Sequence, residues 1–201
     1  MNFVIVPTET APTNGAIVPG SLRHYAIQRN QPLALAWVRV QAVIIFDRSA
    51  SMDEADAPGG RTRYALACDE LAALQAQMPG RLAIVQFNDG VNLVAGGQPD
   101  SPRGLTDLAG ALAYVKQKRM DTPGMRIIVI SDGEPNSESD ALAMAGAINN
   151  RIDVIYCGPA HLPEGRDFLR RLAVASGGQL TTADRVDGLQ KAVVGLLGVA
   201  A

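Results

Sequence analysis

The chain has 201 residues, 47% of them hydrophobic, 19% charged and 4% aromatic, with a formal net charge of −2. That is enough to bury one α/β core and leaves no room for a second full domain. Lys and Arg are scattered rather than striped, so the basic footprint that nucleic-acid binding requires is missing and nucleic acid is excluded as a partner.

The opening MNFVIVPTET has neither a cationic start nor a long apolar run ending in small residues, so it does not read as a secretion signal. The longest apolar tract, residues 192–201, is about half of the roughly 20 residues that a membrane helix needs. The expectation is a cytoplasmic protein with no membrane span. Pro7, Pro12, Pro19 and Pro32 punctuate the short apolar segments NFVIV, AIV and LALAW. Residues 1–37 therefore read as an arm with a strand or two, which either covers a sheet edge or docks elsewhere. Trp37 is a packing anchor for that arm.

From residue 38 the pattern becomes strand, loop, helix, and repeats. Residues 38–47 are a β-branched run ending in Asp47, and residues 62–78 place Leu66, Leu71, Leu74 and Met78 at helical spacing. Pro79-Gly80 stops that helix. Residues 81–89 read as the next strand, and residues 91–97 as its antiparallel partner across the Asp89-Gly90 turn. Thr106 or Asp107 caps a helix over 107–119, and residues 125–133 are a third strand, apolar enough to be covered on both faces. Residues 137–150 are a helix, 151–158 a strand, 164–178 a helix, 179–183 a short strand and 186–198 a last helix. Strands separated by helices of this length need right-handed crossovers. The fold class is α/β, doubly wound: a mostly parallel central sheet flanked by helices, with one antiparallel edge strand. The domain runs over 38–201, with 1–37 as its arm.

In such a sheet the ligand crevice lies at the carboxyl ends of the strands. Those ends carry Asp47, Ser49 and Ser51 after the first strand, Thr106 before the middle helix, and Asp132 after the third strong strand. Two carboxylates and three hydroxyls are hard oxygen donors, suited to Mg²⁺ first, with Mn²⁺ or Ca²⁺ as alternatives, and unsuited to soft metals. Alternation along an extended loop would turn Asp47, Ser49 and Ser51 to one side and Arg48 and Ala50 to the other. Helix capping and loop hydrogen bonding use the same residue types, but capping alone does not place five oxygen donors at three adjacent strand ends.

The pattern Asp47-x-Ser49-x-Ser51 with Thr106 and Asp132 resembles the metal-ion-dependent adhesion site of von Willebrand factor type A and integrin I domains, and the order of elements is similar over about residues 38–198. The resemblance implies that Ser49 and Ser51 coordinate a divalent cation directly. Thr106, Asp47 and Asp132 would do so directly or through water. It further implies a non-enzymatic binding module whose cation accepts an Asp or Glu carboxylate from a partner protein. Stand-alone domains of this type resemble components that work beside AAA+ ATPases or chaperones. In relatives, ligand binding is coupled to movement of the last helix, here 186–197; an ordinary packed terminal helix is the alternative.

Ala50 stands where the family often has Gly. Asp53, Glu54 and Asp56 add acidity that would attract a cation and repel an acidic ligand at range, unless the loop is simply solvated. The alternative function is a Mg²⁺-dependent phosphoryl-transfer or hydrolytic enzyme, since a strand-terminal Asp beside Mg²⁺ is also a catalytic arrangement. Against it, no Gly-rich phosphate loop with Lys and no GxSxG elbow occurs. A third possibility is a structural subunit whose metal only stiffens the loops. His24 and His161 are isolated loop residues, and Cys68 and Cys157 are free core thiols.

Overall fold

Among the described residues six strands form one sheet: β1 (Ala42–Asp47), β2 (Leu82–Phe87), β3 (Val91–Leu93), β4 (Arg126–Ser131), β5 (Ile152–Tyr156) and β6 (Leu180–Thr182). The computed structural model describes residues 16–57, 59–159 and 163–182. The segment NFVIV, His161 and the helix expected over 186–198 lie outside the described residues. The strand order is β3-β2-β1-β4-β5-β6. Every pairing is parallel except β2 with β3, where Val85 lies opposite Leu93 across the Asp89-Gly90 turn. This is the expected α/β class with its single antiparallel edge.

Side chains alternate across the sheet and build two apolar layers. Val43, Ile45, Val85, Ile127, Val129 and Val154 face one side, where they pack with α4 (Leu108–Gln117), α5 (Glu138–Ala147) and α6 (Pro163–Ala175). Ile44, Phe46, Ile84, Ile128, Ile130 and Ile155 face the other, against Leu71 and Leu74 of α3 (Arg63–Gln77). With both faces covered, β1 and β2 are buried along their whole length, which is why their sequences are apolar runs rather than alternating ones.

The region before the sheet differs from the expected extended arm. Its described part holds two short helices, α1 (Leu22–Gln28) and α2 (Leu33–Trp37). LALAW is α2: Pro32 sets the chain direction just before it, and Leu and Ala are strong helix formers. Leu22, Ala26, Ala36 and Trp37 join the first apolar layer, so Trp37 is an anchor as expected. Because the turn after α2 continues through the Val40 N–H bond to the Trp37 carbonyl (2.9 Å), the first strand starts at Ala42 rather than at residue 38. His24 is in α1 rather than in a loop, and its Nδ1 accepts from the Gly20 N–H at 3.0 Å. Cys68 and Cys157 are free thiols.

Order reverses between β1 and β4, since the chain goes from β1 outward to β2 and β3 and returns to pair β4 on the other side. The crevice expected at such a switch point therefore opens beyond Asp47 and Ser131.

Candidate functional site

Asp47 ends β1 and is wholly buried. Its Oδ1 accepts from the Ser49 N–H at 2.8 Å and its Oδ2 from the Ser131 hydroxyl at 2.5 Å. The first bond folds the chain back two residues along, as short acidic side chains do at strand ends. Ser49 and Ser51 then bring their hydroxyls within 3.1 Å of each other. They do so through a one-turn 3-10 helix over Ala50–Asp53, not through the extended alternation expected from the sequence. The turn is held because the Ala50 N–H donates to the Gly104 carbonyl (3.1 Å) and the Met52 N–H to the Ser49 carbonyl (3.1 Å). Met52 is fully buried in the layer beneath, 3.6 Å from the Cys157 thiol.

Of the two candidate caps of α4, Asp107 does the capping, accepting from the Gly110 N–H at 2.9 Å. Thr106 is thereby left out of the cap. It is buried and joined to the loop after β4 by a reciprocal pair: its N–H donates to Asn136 Oδ1 at 2.9 Å, and the Asn136 N–H to its carbonyl at 2.9 Å. The bond between Gly104 and Ala50 ties this loop to the serine turn.

Asp132 follows β4 with its side chain 2% exposed. Arg63 Nη1 donates to its Oδ2 at 2.8 Å and more weakly to the Ser51 carbonyl at 3.3 Å. The same guanidinium grips Asp56 with two bonds, Nε to Oδ1 at 2.9 Å and Nη2 to Oδ2 at 2.6 Å. Asp132 Oδ1 is buried and has no hydrogen-bond partner. Of the sequence-predicted residues, Asp47, Ser49, Ser51 and Asp132 are thus linked directly or through Ser131 and Arg63, and Thr106 through the backbone of its loop.

Electrostatics follow from this burial. Asp47 is pushed up to about 7, first because it is buried and then because the Asp132 charge is close, against the opposing bonds from Ser131 and Ser49. The Arg63 guanidinium is held firmly charged, chiefly by its bonds to Asp56. The Cys157 thiol, in a residue that is half-buried, is pushed well up by desolvation of the sulfur and then by the nearby Asp132 charge. Buried polar atoms are normally satisfied. Two mutually repelling buried carboxylates, one with an orphaned oxygen, beside paired hydroxyls make a donor set that fits a hard divalent cation. Among the described residues no group of three or more His, Cys, Asp or Glu is arranged to hold a metal. The set here is two carboxylates with hydroxyls, poor in charge. A cavity of about 430 Å³ opens beside Ser51 and Asp132, with Glu54, Asp56 and Glu134 on its walls.

Arg63, Ser131 and Asn136 escaped the sequence reading, and Asp56 entered it only as part of an acidic loop, not as the partner of Arg63. Arg63 left one faint signal: a cation in the first turn of a helix opposes the macrodipole and needs an acidic partner to hold it there.

The sequence matches no family model and no curated protein. Its structure resembles solved ones. A manganese-loaded TRAP protein of Plasmodium vivax is 18% identical with a TM-score of 0.56, covering 79% of this chain and 72% of that one. A von Willebrand factor type A protein of Catenulispora acidiphila is 17% identical with a TM-score of 0.57, covering 78% of this chain and 41% of its own. The fold is that of von Willebrand factor type A domains. The ArnB paralog VWA2 of Sulfolobus acidocaldarius shares the type A fold at 18% identity and a TM-score of 0.54, covering 81% of this chain and 45% of its own. The chain spans less than half the length of these last two proteins. Among the described residues no helix is long and apolar enough to cross a membrane.

Proposed function

We propose that the chain is a protein-binding module that holds one divalent cation on Asp47, Ser49, Ser51, Thr106 and Asp132. Its partner binds by an Asp or Glu carboxylate that completes the cation's coordination. The observation that carries this reading is the buried, unpartnered Oδ1 of Asp132, in a residue that lines one cavity with Ser51, whose hydroxyl is paired with that of Ser49. Mg²⁺ is the leading ion. The manganese in the structurally similar TRAP protein supports a site for ions of that size and hardness.

A bound dication would supply an exchangeable position for a carboxylate oxygen. The rest is done by the chain. Ser131 and the Ser49 N–H orient Asp47, and Arg63 orients Asp132. Two carboxylates against a dication keep the site near neutrality, so that an incoming carboxylate is still attracted. Arg63 also offsets the charge of Asp56, so the acidic loop repels such a ligand less than its composition suggests. Asp47 and Asp132 are both buried and committed to hydrogen bonds, which suits ligands better than general bases.

The test is a pulldown from native lysate with wild type and Asp47→Ala, each with Mg²⁺ and with EDTA, after a thermal melt shows that the variant is folded. A protein retained only by wild type with Mg²⁺ supports the reading, and an AAA+ ATPase among such proteins is the partner that the sequence resemblance implies. The same proteins in all four samples would overturn it.

A further inference from the structure

We infer that Arg63 sets the cation preference of the site, favouring Mg²⁺ over Ca²⁺ by restricting Asp132 to a single coordinating oxygen. The inference rests on the proposed cation site and adds to it a residue that touches no cation.

Ca²⁺ takes six to eight oxygens and readily accepts both oxygens of one carboxylate. Mg²⁺ demands a small octahedron and takes one oxygen from each carboxylate, keeping several waters. In this chain Asp132 Oδ2 is committed to Arg63 Nη1 at 2.8 Å, which leaves Oδ1. Asp47 is no better placed to chelate, because Ser49 N–H and Ser131 hydroxyl hold its two oxygens at 2.8 and 2.5 Å. Asp132 therefore offers its second oxygen, and Asp47 both of its oxygens at once, only in competition with buried hydrogen bonds.

Arg63 is not free to step aside. Asp56 grips it from behind with two parallel bonds, the fork geometry that fixes a guanidinium in direction as well as distance. A third contact runs to the Ser51 carbonyl at 3.3 Å. The residue is 8% exposed and begins α3, whose cap is Thr62 bonded to the Ala65 N–H. The guanidinium thus joins the serine turn, the acidic loop and the end of β4. A lysine would bring the charge without the fork.

Charge and denticity act differently on the two ions. Removing the Arg63 charge strengthens the pull on any dication equally, whereas freeing Asp132 Oδ2 helps Ca²⁺ far more than Mg²⁺. The ratio of the two affinities isolates the second effect.

The experiment is calorimetric titration of MgCl₂ and of CaCl₂ into metal-free wild type, Arg63→Gln and Arg63→Met, with near-UV circular dichroism as the check on folding. Wild type should bind Mg²⁺ at least tenfold more tightly than Ca²⁺, a result that needs no variant. In either folded variant the ratio should fall at least fivefold. A wild type that prefers Ca²⁺ or binds both ions equally would overturn the inference, as would a ratio unchanged in a folded variant. If wild type binds neither ion, the cation site itself is refuted, an outcome distinct from the others.

Discussion

Asp47 is a wholly buried residue at the end of β1. Its carboxyl stands near 7 in the metal-free fold against 3.8 for an ordinary Asp, through burial and then the Asp132 charge. Folding therefore favours the protonated form. For this group, stability of the metal-free protein is fully present below about pH 3.8 and is lost as pH rises to about 7. A cation at the proposed site would need the ionised carboxylate, so its binding near neutrality would release a proton. Mg²⁺ affinity should fall steeply as pH drops from 8 to 6, and calorimetry in buffers of different ionisation enthalpy should show that proton. Asp47→Asn removes the cost of ionising a buried group. At pH 8 without metal it should be more stable than wild type, read from urea melts, while losing the response to Mg²⁺.

The elements place these residues with small tolerances. Gly133 and Gly165 bring the start of α6 against the end of β4, and a Cβ on Gly165 would lie 2.7 Å from the Asp132 carbonyl oxygen. Gly165→Ala should thus displace the backbone of Asp132, costing roughly 1–3 kcal/mol in stability. It should also weaken Mg²⁺ binding more than a distant change of equal cost. Gly104 has φ +75°, and a Cβ there would lie 1.9 Å from Asp89 Oδ2. The Gly104 carbonyl accepts from the Ala50 N–H. Asp107→Ala removes the cap of α4 and should cost about 1 kcal/mol in a denaturant melt. Mg²⁺ binding should change little, because the Asn136 pair still holds the Thr106 backbone.

At the scale of the molecule, the site joins the two halves of the sheet. Asp47 ends one central strand, Ser131 ends its neighbour, and their side chains are bonded across the switch point. A ligand bound there draws on the folded state alone, and at 100 times its Kd adds about 2.7 kcal/mol to stability. Saturating Mg²⁺ should raise the Tm of wild type by several degrees, EDTA should reverse it, and Ser49→Ala with Ser51→Ala should abolish the shift. A melt indifferent to Mg²⁺ in wild type would contradict the cation site.

Sequence alone determined the sheet, its single antiparallel edge and the strand ends that carry Asp47, Ser49, Ser51, Thr106 and Asp132. Apolar runs and helical spacing are local signals, and the candidate site residues lie at fixed offsets from them. It misjudged LALAW, where proline punctuation suggested extended chain and helix propensity with core packing prevailed. It also took the serine loop as extended, whereas backbone bonds to Gly104 and within the turn coil it. Only the tertiary structure decided that Asp107 rather than Thr106 caps α4, that Ser131 supports Asp47, and that Arg63 reaches across 69 positions to Asp132. Those choices depend on which side chains meet when distant loops are brought to one end of the sheet. A polar contact between residues far apart in the chain leaves no periodicity to read.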